Sequence, residues 1–299
     1  MSAPGAAPTA EPRFGEVYDR GYRHYEGPRH GQASSVWALA RYSMARALGF
    51  KKSWTAKIIP ILLYVGAILP VVVVVGVTAF FPAADVMSYP EYFSTIFLLE
   101  GIFVAAIAPE LLCPDRREGV LPLYFSRPIT RLDYVIAKML AAAILTLTIS
   151  LLPAVILWLG KQLLTGQPLA AMRDHLGDLG RIGAAGVLIA FYIGAVGLLV
   201  SSFTERKGVA VGIIVLGFLL TESLSGALSV ALADRPPWDQ WVILLSPSRT
   251  VFRMATALWG VEVSGRMGGG LPLGAVIGVM AAVVAVCCGI VAWRYAARD

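Results

Sequence analysis

Residues 110–138 read E-L-L-C-P-D-R-R-E-G-V-L-P-L-Y-F-S-R-P-I-T-R-L-D-Y-V-I-A-K. This charged, turn-rich block runs from Glu110 to Lys138 between two long apolar segments. A bilayer core of about 30 Å is crossed by a helix of about 20 apolar residues. The runs on either side reach that length, so the block is a polar connection between two membrane-spanning helices.

The composition agrees. Of 299 residues, 57% are apolar and 15% charged, against about 25% charge in an ordinary soluble domain. The mean hydropathy is +0.71. The formal net charge of +6 lies beside apolar runs, the pattern of membrane orientation rather than of nucleic-acid binding. Cys113, Cys287 and Cys288 form no zinc spacing with the scattered His24, His30 and His175, so no metal site is expected. The start of the chain lacks the short apolar core of a cleavable signal.

Six segments are long enough to span: 58–81, 92–112, 135–163, 179–203, 208–232 and 273–293. Pro60, Pro70 and Pro153 fall within them and are expected to kink their helices. Arg41, Arg46, Lys51, Lys52 and Lys57 precede the first span, and Arg116, Arg117, Arg127 and Arg131 follow the second. Arg206 and Lys207 join the fourth to the fifth, and Arg294 and Arg298 follow the sixth. The first opposite loop carries Asp85 and Glu91 without Lys or Arg, which places both termini in the cytoplasm. Lys161, Arg173 and Arg181 oppose this assignment but are fewer. Phe80, Phe81, Tyr89, Tyr92, Phe93 and Trp158 are expected at the outer interface, with Trp54, Trp293 and Tyr295 at the inner one.

Residues 1–33 read as a flexible cytoplasmic tail. Residues 34–57 follow as an interfacial amphipathic helix, with Trp37, Ala40, Met44, Ala47 and Leu48 on its apolar stripe and Arg41, Arg46 and Lys51 off it. The six-span unit covers 58–299. Residues 233–272 exceed a turn, and Ser246-Pro247-Ser248 starts a short outer helix there. Val251, Phe252, Ala255, Leu258 and Trp259 form its apolar face, with Arg249 and Arg253 opposite. The fold class is therefore all-α integral membrane, with six transmembrane helices. No internal repeat supports a carrier built from inverted halves.

Within the charged block, Pro114 is expected to end the second span, Asp115 to cap the next turn and Gly119 to break it. Leu121, Leu123, Tyr124 and Phe125 put apolar groups on a short cytoplasmic element among charges. Chemistry alone leaves two readings, an ordinary charged loop or a docking element for a partner.

The spacing E-x5-R-R-E-G-x-L-x4-S-R-P-x-x-R-x6-K resembles the cytoplasmic loop of ABC-2 (type-2 ABC exporter) permeases. The matching positions are Glu110, Arg117, Glu118, Gly119, Leu121, Ser126, Pro128, Arg131 and Lys138, with Val120 where a threonine is usual; with Arg116 and Arg127 they are the expected ATPase-coupling residues. Y-R-H-Y-E-G-P-R (residues 22–29) resembles a segment ahead of the first span in bacterial members. L-S-P-S-R-T-V-F-R (residues 245–253) resembles their region before the last span. The resemblance implies a dimer, with a second copy or a paralogue, in a bacterial inner membrane, carrying two separate ABC ATPase subunits that bind ATP and Mg. The block would be the coupling helix. The chain has no G-x4-G-K-[ST] phosphate loop, H-E-x-x-H or G-x-S-x-G, so no catalytic residue is expected in it. The remaining readings are a non-transporting scaffold that recruits a cytoplasmic partner and an ATP-independent channel or carrier.

Glu100 and Glu222 are intramembrane acids. Each sits in the outer half of its span, where a charge costs about 2.5–3.5 kcal/mol on insertion scales. They are expected either to line a substrate path favouring cations or to be structural, Glu222 pairing with an arginine such as Arg249. Gly208 and Gly212, and Gly183, Gly186, Gly194 and Gly197, suit close helix contact.

Overall fold

The computed structural model describes residues 31–50, 54–81, 86–125, 129–263 and 270–296. Expectations for residues 1–30, including the 22–29 motif, His24 and His30, lie outside the described residues. So do those for Lys51, Lys52, Asp85, Ser126, Arg127, Pro128 and Arg298. Within the described residues the regular structure is helical. The helices are α1 (Gln32–Ala47), α2 (Thr55–Phe80), α3 (Tyr89–Arg117), α4 (Leu121–Phe125), α5 (Arg131–Leu163) and α6 (Pro168–Asp174). There follow α7 (Leu176–Phe203), α8 (Lys207–Ala231), α9 (Trp238–Trp241), a 3-10 turn (Val242–Leu245), α10 (Pro247–Trp259) and α11 (Leu273–Ala296). Six of these, α2, α3, α5, α7, α8 and α11, are long and apolar enough to cross a membrane.

Local chemistry sets where the spans begin. Ser88 Oγ accepts from the Glu91 amide, and Glu91 accepts from the Ser88 amide at 2.7 Å, a capping box with Pro90 in the first turn. Thr130 and Asp133 form the same device ahead of α5, with Asp133 Oδ2 2.8 Å from the Thr130 amide. Such a cap contributes about 1 kcal/mol. It starts α3 at Tyr89 and α5 at Arg131, earlier than the apolar runs alone suggest.

Helices α3, α5 and α7 form the buried centre, with α2, α8 and α11 around them. The peripheral spans leave large apolar side chains uncovered, among them Ile59, Leu62, Val73, Leu216, Leu220 and Val286. Helices keep their backbone polar groups bonded internally, so such faces suit hydrocarbon. The core has two layers. One, beneath α10, holds Tyr92, Phe93, Trp158, Ile182, Met254 and Val251. The other, toward α4, holds Phe103, Leu111, Tyr134, Leu145, Leu198 and Tyr295.

The aromatic expectation needs correcting here. Phe80, Phe81, Trp54 and Trp293 are exposed, but Tyr92, Phe93, Trp158 and Tyr295 are core residues. Tyr92, Phe93 and Trp158 lie on central helices and Tyr295 points inward from α11, so packing volume rather than interfacial polarity places them. Glycines make that packing possible. A Cβ on Gly186 would stand 2.5 Å from Leu151 Cδ2, and one on Gly197 2.4 Å from Val104 Cγ1. Gly183, Gly208 and Gly212 face open space.

Helix α10 begins as its sequence suggests, with Ser246 as N-cap, and ends at Gly260, whose φ of 68° is left-handed. Arg253, however, is not on a solvent face. It is 6% exposed; its guanidinium donates to the Leu271 carbonyl and, at 3.3 Å, to Thr256 Oγ1. Both sides of α10 are covered, by α3 and α7 and by the start of α11, and burial pulls the Arg253 guanidinium below its usual pKa.

Candidate functional site

Helix α3 does not stop at Pro114; it continues to Arg117. Proline at this position lacks the amide that would serve the carbonyl of Glu110, four residues back. Arg46 supplies a replacement, its Nη2 lying 3.3 Å from the Glu110 carbonyl and 3.3 Å from that of Leu111. The helix crosses its proline because a guanidinium from α1 completes the ladder.

The extra turn carries Asp115 into the interior. Its carboxylate is fully buried and is no helix cap. Arg46 Nη1 lies 2.7 Å from Oδ1 and Lys138 Nζ 2.7 Å from Oδ2. The Tyr134 hydroxyl donates to Oδ2 at 2.9 Å. Lys138 also donates to Ser43 Oγ at 2.9 Å. Helices α1, α3 and α5 thus meet at one anion held by two cations. Burial alone would lower the Arg46 pKa, but the Asp115 carboxylate prevails and holds it above its ordinary value. Lys138 is 1% exposed and lies within α5 rather than at its start. Arg46 likewise faces protein, whereas Trp37 of the expected apolar stripe is 52% exposed. Ala40, Met44, Ala47 and Leu48 of that stripe do pack inward, joined by Leu39 and Ser43.

Beyond α3 the chain turns at Gly119, with φ of 65°. The amides of Gly119 and Val120 bond to the carbonyls of Arg116 and Asp115 at 3.3 and 3.2 Å, a Schellman closure that favours glycine. The turn releases α4, five residues of which Leu123 is 67% exposed. Phe125 and Tyr124 pack on Tyr134 with ring centroids 6.1 and 5.9 Å away. Tyr134 meets Tyr295 of α11 at 5.3 Å. Arg117, Glu118 and Gly119 are exposed beside α4. The structure therefore divides the sequence candidates. Arg117, Glu118, Gly119 and the outer side of α4 stand at the surface, while Lys138 is inside. Arg131 stacks over Phe125 at 5.8 Å.

A second set of contacts closes the same end. Lys207 Nζ is 2.7 Å from Glu110 Oε1, and Arg116 Nη2 is 3.5 Å from Glu205. Arg116 Nη1 and Arg294 Nε, the latter at 2.8 Å, both donate to the Ser202 carbonyl at the end of α7. Terminal helix carbonyls lack ladder partners and attract cations. Glu110 and Arg116 thus link spans.

The intramembrane acids differ. Glu100 is fully enclosed, with the side chain of Ser150 beside its carboxyl group. Glu222 borders a cavity of about 350 Å³ near α10 and pairs with Arg249, Nε to Oε1 2.8 Å. The hydroxyls of Ser246 and Ser248 donate to its other oxygen. Sequence reasoning named the acid and its arginine but missed the burial of Asp115 and the role of Ser43, which accepts from Lys138. A proline followed by an aspartate, with basic residues on two neighbouring helices, was the available signal.

A family model described as ABC-2 family transporter protein matches residues 67–299. No curated protein matches the chain.

Proposed function

The chain belongs to the ABC-2 transporter family, and from that premise we propose that it is the permease subunit of an ABC exporter in a bacterial inner membrane. The family is that of the transmembrane component, distinct from the ATP-binding subunit, and an ABC ATPase partner belongs to it in general. In this reading both termini are cytoplasmic and α4 is the coupling helix. Two ATPase copies seat on α4, with its flanking Arg117 and Glu118, in a dimer of this chain or of it with a paralogue. ATP and Mg are held by those partners, and the cargo is a small amphiphilic or lipid-like molecule that leaves the cell.

One observation carries this reading. Helix α4 offers an exposed apolar surface flanked by Arg117 and Glu118, yet its other side rests on Tyr134, which is bonded to Asp115. A push on α4 therefore reaches α1, α3, α5 and α11 through packed and charge-assisted contacts rather than through a loose loop. Tagged chain solubilised from its native membrane is expected to bring down an ABC ATPase. Exchanging the flanking charges, Arg117→Glu with Glu118→Arg, is expected to release it while the chain keeps its melting temperature. Solute conduction by vesicles that contain this chain and no ATPase would turn the reading toward a carrier.

A further inference from the structure

We propose that the cavity between α3, α8, the 3-10 turn and α10 binds the anionic headgroup of an amphiphile, a phosphate or carboxylate held by Arg249. The proposal does not depend on whether the chain transports its occupant. The cavity holds about 350 Å³ and is lined by Ser94, Glu222, Ile243, Ser248, Arg249 and Phe252. That volume lies at the lower end for small-molecule sites, enough for a headgroup and the first part of a chain.

The class of ligand follows from which hydrogen-bonding capacity is already used. Glu222 would attract cations if its oxygens were free, but Oε1 accepts from Arg249 Nε at 2.8 Å. Its Oε2 accepts from the hydroxyls of both Ser246 and Ser248. Its acceptor capacity is largely consumed within the protein, and the two charges offset each other, so what the pair still offers a ligand is hydrogen-bond donors. Arg249, in contrast, spends only Nε on this pair. Its terminal nitrogens Nη1 and Nη2 hydrogen-bond to nothing among the described residues, and its side chain is 34% exposed.

A guanidinium presents its terminal donors in a planar fork that matches the oxygens of carboxylate or phosphate. Glu222 fixes that fork by holding Nε, so little rotamer freedom is lost when an anion arrives. Ser94, exposed on α3, adds a hydroxyl on another helix. Ile243 and Phe252 supply apolar wall for a hydrocarbon segment.

The test uses the purified full chain in phosphatidylcholine nanodiscs, titrated calorimetrically against empty discs. Dodecyl phosphate is expected to bind, whereas dodecyltrimethylammonium and inorganic phosphate bind at least about tenfold more weakly. Arg249→Gln is expected to weaken dodecyl phosphate by about tenfold or more, the loss of hydrogen bonds to a charged group. Because that variant strands Glu222, the neutral pair Glu222→Gln/Arg249→Gln is measured beside it and is expected to lose binding equally while melting like the parent. Phe252→Ala should weaken the amphiphile and leave inorganic phosphate unchanged. Equal binding of the cationic amphiphile, or unchanged affinity in both Arg249 variants, overturns the anion assignment. Inorganic phosphate binding as tightly as dodecyl phosphate overturns the amphiphile.

Discussion

Asp115 and Lys138 meet at 2.7 Å across the gap between α3 and α5, the carboxylate fully buried and the amine nearly so. The contact joins the end of one central helix to the early turns of the next. Arg46 then brings in α1 from the other side of the same carboxylate. Removing one partner from such a group leaves an uncompensated charge.

Asp115→Asn is accordingly expected to destabilise the chain by about 3–5 kcal/mol, because two cations would then face each other without their anion. Asp115→Asn/Lys138→Met should cost less than the sum of its single variants. Thermal unfolding in detergent of the four members of that cycle measures the coupling, and strict additivity would show that the pair contributes nothing.

Gly119 adopts φ of 65° at the turn that releases α4. A β-branched residue there pays at least about 1–2 kcal/mol and tilts α4 away from Tyr134. Gly119→Val is expected to weaken ATPase capture while leaving the six-span bundle folded. Co-purification together with a melting curve separates the two effects.

The glycines divide into two groups with opposite expectations. Gly197→Ala drives a methyl into Val104, 2.4 Å away, and should cost about 1–3 kcal/mol of stability. Gly208→Ala and Gly212→Ala meet open space and should leave the melting temperature of the single chain within a degree or so of the parent. If α8 forms the seam with a second copy, cysteine crosslinking there will respond to the last two and not to the first.

Arg46→Lys keeps the charge near Asp115 but cannot span both its carboxylate and the carbonyls of Glu110 and Leu111. It is expected to loosen α3 around Pro114. Hydrogen exchange of amides in residues 111–117 should rise in this variant, with exchange in α7 unaffected.

Much of the architecture is legible in the chain. The six apolar runs declare themselves because lipid demands about 20 such residues in succession. Ser246 and Pro247 mark the start of α10. The misplaced features share one cause, partners far away in sequence. Pro114 looked like a helix stop because the donor that replaces its amide lies at Arg46. Asp115 looked like a cap because Lys138 and Tyr134 cannot be recognised as neighbours before the helices pack. Arg253 looked exposed because the Leu271 carbonyl that it serves belongs to the approach to another helix. The α4 element could be read locally, since a glycine followed by Val-Leu-Pro-Leu-Tyr-Phe needs no distant residue to form a short turn of helix. The cradle beneath it could not.

Arg116 and Arg294 both donate to the carbonyl of Ser202, and Lys207 reaches Glu110. One oxygen at the end of α7 thereby works as a pin joint for α3 and α11, and a second tie fastens α8. Together with the Asp115 cluster, these fasteners bind five spans into one platform at the α4 end. Helix α2 is outside it. Lys57 is its one charged residue, and among the described contacts it stacks only on the adjacent Trp54, 5.5 Å away. Helix α2 is held instead by uncharged contacts: the Tyr64 hydroxyl bonds to Thr148 of α5, and the Tyr64 ring sits edge-on to Phe103 of α3 with centroids 5.4 Å apart.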